Sequence, residues 1–255
     1  MRGSHSARVR LYLAPERWAR RVGLEQEERH RLVDVLRLEP GAGLEVFDGR
    51  GMRCSAQLDR DAAGWCARLD PANAEREERR GPRVVLGVAL LKGRKLDEVV
   101  RRVTEIGVAE LRPFLCARSV ARPDGRRQRE RVERWRLIAT EAARQSGRAE
   151  LPKLCQPCSL DVLLAELAAR EGLERRILLD AGAREGVRLI DRLGASDTGR
   201  AVLVGPEGGF APAEIEAADR LGFERAGLGP NVLRSETAAV VAAAFACLDT
   251  GWRVE

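Results

Sequence analysis

The sequence predicts an α/β fold in two parts, a small, mostly β, barrel-like domain and then a larger domain with a largely parallel sheet. Three observations predict it. Short apolar stretches broken by turn signals fill residues 8–70, residues 71–82 lack apolar periodicity, and continuous apolar runs alternate with helical patterns thereafter. We therefore predict a first domain at residues 7–72, a linker at residues 73–82 and a second domain at residues 83–255. A chain of 255 residues can bury a core in both domains.

The first domain is predicted to be mostly β because short strand patterns flank a turn. Residues 44–47 alternate in polarity and lead into Asp-Gly-Arg-Gly at residues 48–51, which is a strong hairpin signal. Residues 54–58 would supply the returning strand. Ahead of this hairpin, residues 27–36 predict a short helix that ends near Pro40.

The second domain is predicted to be α/β because its apolar runs lack polar alternation. Three such runs, typical of strands buried on both faces, lie at residues 84–90, 177–179 and 201–204. After the first run, Gly107 ends a helix whose apolar face comprises Leu96, Val99, Val100, Val103 and Ile106. Further helical patterns cover residues 127–145, 160–170, 212–221 and 236–249. This alternation predicts a parallel sheet covered by helices.

The positive charge of the chain is concentrated in one segment. The net charge is +6, from 45 basic and 39 acidic residues, and residues 118–136 alone hold eight arginines and three acidic residues. This segment is either a patch that binds a polyanion or a solvated helix face, since residues 126–136 alternate in charge at helical spacing. Aromatic residues make up only 4% of the chain, which disfavours a surface that stacks many bases.

Metal and redox chemistry have little support in the sequence. The six cysteines are scattered, so their spacing is not that of a disulfide framework. Cys155 and Cys158 could form half of a zinc site or a redox pair, but the chain has no second such pair and only His5 and His30 as histidines. We expect ordinary thiols and no metal. Two histidines also argue against a His-based hydrolase.

The N-terminus gives no sign of export. Residues 1–6 resemble a cloning scar, and the Arg-rich segment that follows lacks the apolar core of a signal peptide. No apolar run approaches the length of a membrane span. We therefore expect a cytoplasmic protein with no membrane partner.

Two glycine-bearing segments are the candidates for a functional site. Residues 203–210 read Leu-Val-Gly-Pro-Glu-Gly-Gly-Phe at the end of a predicted strand, and Pro212 would begin the next helix. Ligands of open parallel sheets bind beyond the carboxyl ends of the strands, so this segment is either a ligand loop or a tight strand-to-helix turn. It has neither the Lys-Ser/Thr pair of a nucleotide P-loop nor the dinucleotide fingerprint.

The second segment, residues 228–239, reads Leu-Gly-Pro-Asn-Val-Leu-Arg-Ser-Glu-Thr-Ala-Ala. Ser235 is a good N-cap for a helix of mostly Ala and Val, and such small residues predict a helix that is closely packed and buried. Arg234 and Glu236 flank the start of this helix. A charged pair at that position is either a structural ion pair or part of a site.

Together, the two segments resemble the paired motifs of the SPOUT, or trefoil-knot, RNA methyltransferases. They are more closely similar to the bacterial RsmE-type enzymes, which methylate uracil N3 in 16S ribosomal RNA. The likeness covers nearly the whole chain after residue 6 and is strongest over residues 84–245. It includes three further segments, at residues 92–108, 118–119 and 141–148.

The resemblance implies a PUA-like β-barrel for RNA, then an α/β knot domain, in a homodimer that acts on the small ribosomal subunit. The Ala-rich helix would pass through the knot and help to form the dimer. The knotted pocket would bind S-adenosylmethionine (SAM), and the residues implied are Leu179, Leu203, Val204, Gly205, Glu207, Gly208, Gly209, Leu228, Gly229, Pro230, Val232, Leu233 and Thr237. One position departs from the family, because Asn231 stands where Arg is common, and this removes a charge near the cofactor loop.

The reaction that the resemblance implies sets the catalytic candidates. The uracil N3 proton is weakly acidic and must leave, which requires a base or a cation that stabilises the uracil anion. Arg234 is the first candidate for the cation, and Glu207 or Glu236 could accept the proton. Candidate RNA contacts are Lys92, Lys95, Arg118 and Arg148. Two alternatives remain: a knot methyltransferase that acts on transfer RNA or on a ribose 2′-hydroxyl, and a non-catalytic RNA-binding factor for ribosome assembly.

Overall fold

The structure is a computed structural model that describes residues 9–78, 81–119, 125–180, 182, 187–193 and 198–247. The chain divides into two compact units that are not consecutive in sequence. The first unit takes the chain as far as residue 79 together with residues 143–151, and the second takes the remainder. The return of residues 143–151 to the first unit is absent from the predicted division.

The first unit contains a six-stranded sheet. Its strands are β1 (Val9–Tyr12), β2 (Arg21–Gly23), β3 (Gly43–Phe47), β4 (Met52–Asp61), β5 (Gly64–Leu69) and β6 (Glu75–Arg76). The order is β1-β3-β4-β5-β2, with β6 paired to β4, and only the β1–β3 pair is parallel. The strand β6 lies in the segment predicted as a linker. Both of its residues are exposed, so no apolar pattern marked it.

The predicted hairpin and helix of the first unit are confirmed. In the turn between β3 and β4, an Asp48 carboxylate oxygen accepts the amides of Arg50 at 2.7 Å and Met52 at 2.9 Å. Gly49 and Gly51 in this turn have φ of 75° and 94°, a region that glycine adopts without strain. The helix α1 (Gln26–Arg29) continues as a π-helical turn over His30–Val35, and short 3-10 turns lie at Pro15–Arg17 and Pro71–Asn73.

Residues 143–151 belong to the first unit because they complete its packing. The buried Arg10 side chain pairs with Glu45 at 2.7 Å and donates to the carbonyl oxygens of Ala143 at 2.7 Å and Arg148 at 3.0 Å. Its guanidinium also lies 4.4 Å from the centre of the Phe47 ring. Phe47 forms one apolar cluster with Ala143 and Ala149.

The second unit contains a seven-stranded parallel sheet, as predicted. Its strands are β7 (Val84–Ala89), β8 (Glu110–Leu115), β9 (Lys153–Leu154), β10 (Cys158–Ser159), β11 (Leu173–Leu179), β12 (Gly199–Val204) and β13 (Glu224–Ala226). The order is β10-β8-β7-β12-β11-β13, with β9 paired to β8. Every residue of β7 and β12 is buried, which explains their continuous apolar runs.

The helices of the second unit are α2 (Lys95–Ile106), α3 (Gly125–Ser146), α4 (Leu160–Ala168), α5 (Leu189–Leu193), α6 (Pro212–Arg220) and α7 (Ser235–Cys247). All were predicted except the five-residue α5. Helix α2 buries the predicted apolar face apart from Ile106, which is half-buried, and Gly107 caps it with φ of 109°. Helix α7 packs against α2, β7 and β12. Helix α3 ends within residues 143–151, which belong to the first unit.

A buried carboxylate organises one end of β8. Glu110 is fully buried and accepts hydrogen bonds from Arg170 at 2.8 Å and Arg112 at 3.2 Å. The Cys155 thiol also donates to it, at 3.6 Å. Burial, followed by the charge of Glu110, raises the pKa of the Cys155 thiol. Cys155 therefore acts as a hydrogen-bonding thiol in this arrangement.

Among the residues that the structure describes, no three His, Cys, Asp or Glu side chains lie close enough together to hold a metal ion. In the same part of the chain, no helix has the length and apolar character that a membrane crossing requires.

Candidate active site

A cleft opens at the carboxyl ends of β11 and β12, with about 660 Å³ of space in it and in its open mouth. Three segments form it: the end of β11, the loop that follows β12, and the chain from β13 into α7. This is where ligands of open parallel sheets bind. The residues that line the cleft are Leu179, Asp180, Val204, Gly205, Pro206, Glu207, Gly209, Ala226, Gly227, Leu228, Gly229, Asn231, Val232, Leu233, Ser235 and Ala238.

Glycine shapes the loop after β12, which we call the first cleft loop (residues 205–210). A Cβ atom on Gly205 would lie 2.9 Å from Cε2 of Phe210, so a side chain at this position would displace the ring. The buried Phe210 ring stacks on Phe114 with centres 6.1 Å apart. Gly209 has φ of 68°, and its amide donates to the Pro206 carbonyl at 2.9 Å. The loop is thus a tight turn, and it also lines the cleft.

The second cleft loop (residues 227–234) connects β13 to α7. Gly227 anchors its start, because its amide donates to the Val187 carbonyl at 2.9 Å and its carbonyl accepts the Leu189 amide at 2.8 Å. Gly229 has φ of 128°, which favours glycine. At the other end, the Arg234 carbonyl accepts the Ala238 amide at 2.8 Å, and α7 begins at Ser235.

Charged side chains cluster beside the two loops. The Lys95 ammonium, at the start of α2, lies 2.7 Å from Glu207 Oε1 and 3.4 Å from Glu236 Oε2. The hydrogen bond from Lys95 holds the pKa of Glu207 below its ordinary value, with a smaller contribution from the charge of Lys92. The same hydrogen bond raises the pKa of Lys95. Glu207 is therefore ionised at neutral pH.

The cleft brings together nine of the thirteen residues predicted to bind the cofactor, namely Leu179, Val204, Gly205, Glu207, Gly209, Leu228, Gly229, Val232 and Leu233. The other four do not line it. Leu203 is buried in the sheet core, and Gly208 presents its carbonyl to Arg118 Nη1 at 2.6 Å. Pro230 and Thr237 are exposed.

Seven further residues line the cleft without having been named individually as cofactor ligands, namely Asp180, Pro206, Ala226, Gly227, Asn231, Ser235 and Ala238. Asp180 directly follows Leu179, so the rule for carboxyl ends of strands could have found it. Ala226 ends β13 and Gly227 follows it, and the three residues of this strand are too short a run to predict a strand. The remaining four adjoin residues that were predicted.

The catalytic and RNA-contact candidates do not all lie at the cleft. Glu207 lines it, whereas Glu236 is half-buried beside it and Arg234 is exposed at the start of α7. Arg148, which was predicted to contact RNA, does not line the cleft. Arg148 belongs to the first unit, where it is half-buried and its carbonyl accepts a hydrogen bond from Arg10.

The class of the protein follows from a comparison with protein families. Residues 78–246 match the family described as the RNA methyltransferase domain. This match spans most of the second unit and includes both cleft loops. The fold and the cleft are therefore those of an RNA methyltransferase.

Similarity to individual proteins identifies the family within this class. The chain is 36% identical over 238 residues to the ribosomal RNA small subunit methyltransferase E of Synechocystis sp., covering 92% of this chain and 76% of that protein. It is 31% identical to the Bacillus subtilis protein of the same name, covering 85% of each. A structure of the Neisseria gonorrhoeae protein of that name, bound to S-adenosyl methionine, has a TM-score of 0.79 at 26% identity and covers 93% of this chain and 96% of that one. The chain belongs to the ribosomal RNA small subunit methyltransferase E family.

Proposed function

We propose that the protein transfers a methyl group from SAM to N3 of a uracil in the 16S ribosomal RNA of the small subunit. The observation that carries this proposal is the cleft in which two glycine-bearing loops meet at the carboxyl ends of parallel strands. The names of the Synechocystis and Bacillus relatives support a small-subunit ribosomal RNA as substrate. The Neisseria protein, which binds SAM, supports the cofactor.

The residues of the cleft fit SAM. At Gly209 and Gly229, a Cβ would meet no atom within 4 Å, so these positions leave open space beside the backbone. Asp180 and Glu207 add carboxylates that favour a ligand with a positively charged sulfur. When bound, SAM supplies an activated methyl group, and Leu179, Leu228 and Leu233 exclude water from it.

The protein contributes to catalysis chiefly by positioning the two substrates and by stabilising charge electrostatically. We assign to Glu207 the role of accepting the N3 proton, because it lines the cleft and Lys95 keeps it ionised. The same ion pair weakens Glu207 as a base, so removal of the proton also requires stabilisation of the uracil anion. The exposed guanidinium of Arg234, which directly follows the cleft residue Leu233, supplies that positive charge.

RNA contacts would come from both units. Lys92 and Arg118 are exposed, and both lie close to the first cleft loop. In the first unit we propose a PUA-like barrel that contacts RNA through Arg148, a proposal supported by its six-stranded sheet. A ribosomal substrate also supports the cytoplasm as the compartment in which the protein acts.

We also propose that the second unit is knotted and forms a homodimer through α7. The knot is supported by the path of the chain, because β13 is an edge strand whereas α7, which follows it, packs against the central strands β7 and β12. The dimer is supported by half-buried apolar side chains on α7, among them Val240, Val241 and Phe245. Sedimentation of the purified protein at the mass of two chains is expected, and a monomer would contradict the dimer.

Methyl transfer can be tested with SAM that carries a labelled methyl group. Unmodified small ribosomal subunits, free 16S ribosomal RNA and transfer RNA serve as separate substrates, and mass spectrometry identifies the labelled nucleoside. We expect 3-methyluridine from 16S ribosomal RNA. Another methylated nucleoside would contradict the N3 assignment, and label in transfer RNA alone would favour the alternative substrate. Binding of RNA without binding of SAM would favour the non-catalytic assembly factor.

Gly205→Ala is expected to weaken SAM binding about tenfold, because the added methyl group must displace Phe210 and reshape the first cleft loop. Calorimetry with SAM measures this change directly. Gly125→Ala is the matched control, since a Cβ there meets nothing within 4 Å. Equal affinity of the Gly205→Ala variant and the unaltered protein would show that the shape of this loop does not govern cofactor binding.

A further inference from the structure

One lysine links three separate segments beside the cleft. Lys95 stands at the start of α2, Glu207 is in the first cleft loop, and Glu236 is in the first turn of α7. The Lys95 ammonium lies 2.7 Å from Glu207 Oε1 and 3.4 Å from Glu236 Oε2. A single charged group therefore bridges the segments that carry the two walls of the cleft.

The two carboxylates depend on this lysine. Both lie close to the same nitrogen atom, so without its charge they would repel each other. Glu236 Oε2 is also buried and accepts no hydrogen bond from any residue that the structure describes. A buried carboxylate oxygen in this state needs a nearby positive charge, and Lys95 provides one.

The same geometry makes Lys95 a poor contact for an RNA phosphate. With two carboxylates beside one ammonium, the local net charge of the three groups is negative, which repels a polyanion. A phosphate would also have to replace Glu207 at Lys95. By contrast, the nearby Lys92 is exposed and remains suited to phosphate binding.

We propose that Lys95 is a positioning residue that joins the first cleft loop to the start of α7 and so holds the two walls of the cleft at the separation that SAM requires. This inference rests on the proposed function and replaces the expectation that Lys95 contacts RNA. Lys95 acts on the cofactor through Glu207 and Glu236.

The test measures SAM affinity and RNA affinity separately in the full-length protein. In Lys95→Met, we expect the Kd for SAM to rise about tenfold, the size expected for coupled residues in one charged network, while the KM for small ribosomal subunits changes less than about threefold. Lys95→Arg keeps the positive charge and is expected to restore most of the SAM affinity. Arg101→Met is the matched control on the same helix, because Arg101 pairs with Glu98 of its own helix.

A second variant keeps the test decisive if Lys95→Met lowers the melting temperature. Glu207→Gln removes one carboxylate of the bridge and is expected to weaken SAM binding in the same way. The double variant should bind SAM no more weakly than Lys95→Met alone, because both changes break one link. Additive effects would overturn the proposal.

The remaining outcomes separate this inference from the proposed function. Unchanged SAM affinity in Lys95→Met would overturn the positioning role. If the KM for small ribosomal subunits rises in that variant while the SAM affinity is unchanged, Lys95 is an RNA contact instead. If the unaltered protein binds no SAM, it is the proposed function that fails.

Discussion

Arg234→Ala is expected to lower kcat for methyl transfer by about a hundredfold or more, the usual loss when one preorganised charge donor is removed from a transition state. The guanidinium is exposed and directly follows the cleft residue Leu233, where it can face a uracil that is losing its N3 proton. Its backbone carbonyl, which accepts the Ala238 amide at 2.8 Å, is unchanged by the substitution. The start of α7 should therefore remain folded.

Three measurements decide the role of Arg234. Single-turnover transfer with labelled SAM gives the loss in rate. Calorimetry should give a Kd for SAM within about twofold of that of the unaltered protein, and the melting temperature should be unchanged. Arg220→Ala is the control, because Arg220 is an exposed arginine in the last turn of α6. Full activity in Arg234→Ala would refute the role that we assign to it.

Glu110→Ala is expected to lower the free energy of unfolding by about 1.5–3 kcal/mol, the size of a lost hydrogen bond to a charged group. Glu110 is fully buried and binds Arg170 at 2.8 Å and Arg112 at 3.2 Å. Its removal leaves the guanidinium of Arg112, which is only 13% exposed, with Glu166 as its remaining carboxylate partner. Urea unfolding measures the loss, and Glu174→Ala, at an exposed position near the start of β11, is the control.

The same carboxylate makes stability depend on pH in a defined direction. Burial alone would raise the pKa of Glu110, but the hydrogen bonds from Arg170 and Arg112 outweigh burial and leave the pKa below its ordinary value. The folded pKa is then lower than the unfolded one. The stabilisation is complete above the unfolded pKa and is lost as the pH falls through the folded pKa. Glu110→Ala should therefore lose less stability than the unaltered protein on acidification.

Much of the second unit was predictable because its central strands are buried on both faces. The strands β7 and β12 consist entirely of buried residues, so their apolar runs are unbroken. The neighbouring strand β8 was missed because Glu110, Arg112 and Pro113 interrupt its apolar pattern. Its charged residues are compensated by distant partners, among them Arg170, which binds Glu110, and Glu166, which pairs with Arg112. The local sequence around β8 gives no information about partners that lie far away in the chain.

The site was predictable where it follows a strand signal and unpredictable where it depends on distant pairs. The first cleft loop follows β12, so its glycines indicated either a ligand loop or a tight turn, and the family resemblance favoured the ligand loop. Lys95 was a candidate RNA contact, with a solvated helix face as the alternative. Its bond to Glu207 spans 112 positions of the chain, and spacing along the sequence carries no information about it.

The sharing of residues 143–151 with the first unit has a consequence for how the protein is made. Phe47 packs on Ala143 and Ala149, and Arg10 donates to the carbonyls of Ala143 and Arg148. During synthesis, none of these contacts can form until the chain beyond position 150 has left the ribosome. The packing of the amino-terminal unit therefore stays incomplete while more than sixty residues of the second unit are translated. A fragment that stops at residue 79 lacks residues 143–151 and therefore cannot complete this packing.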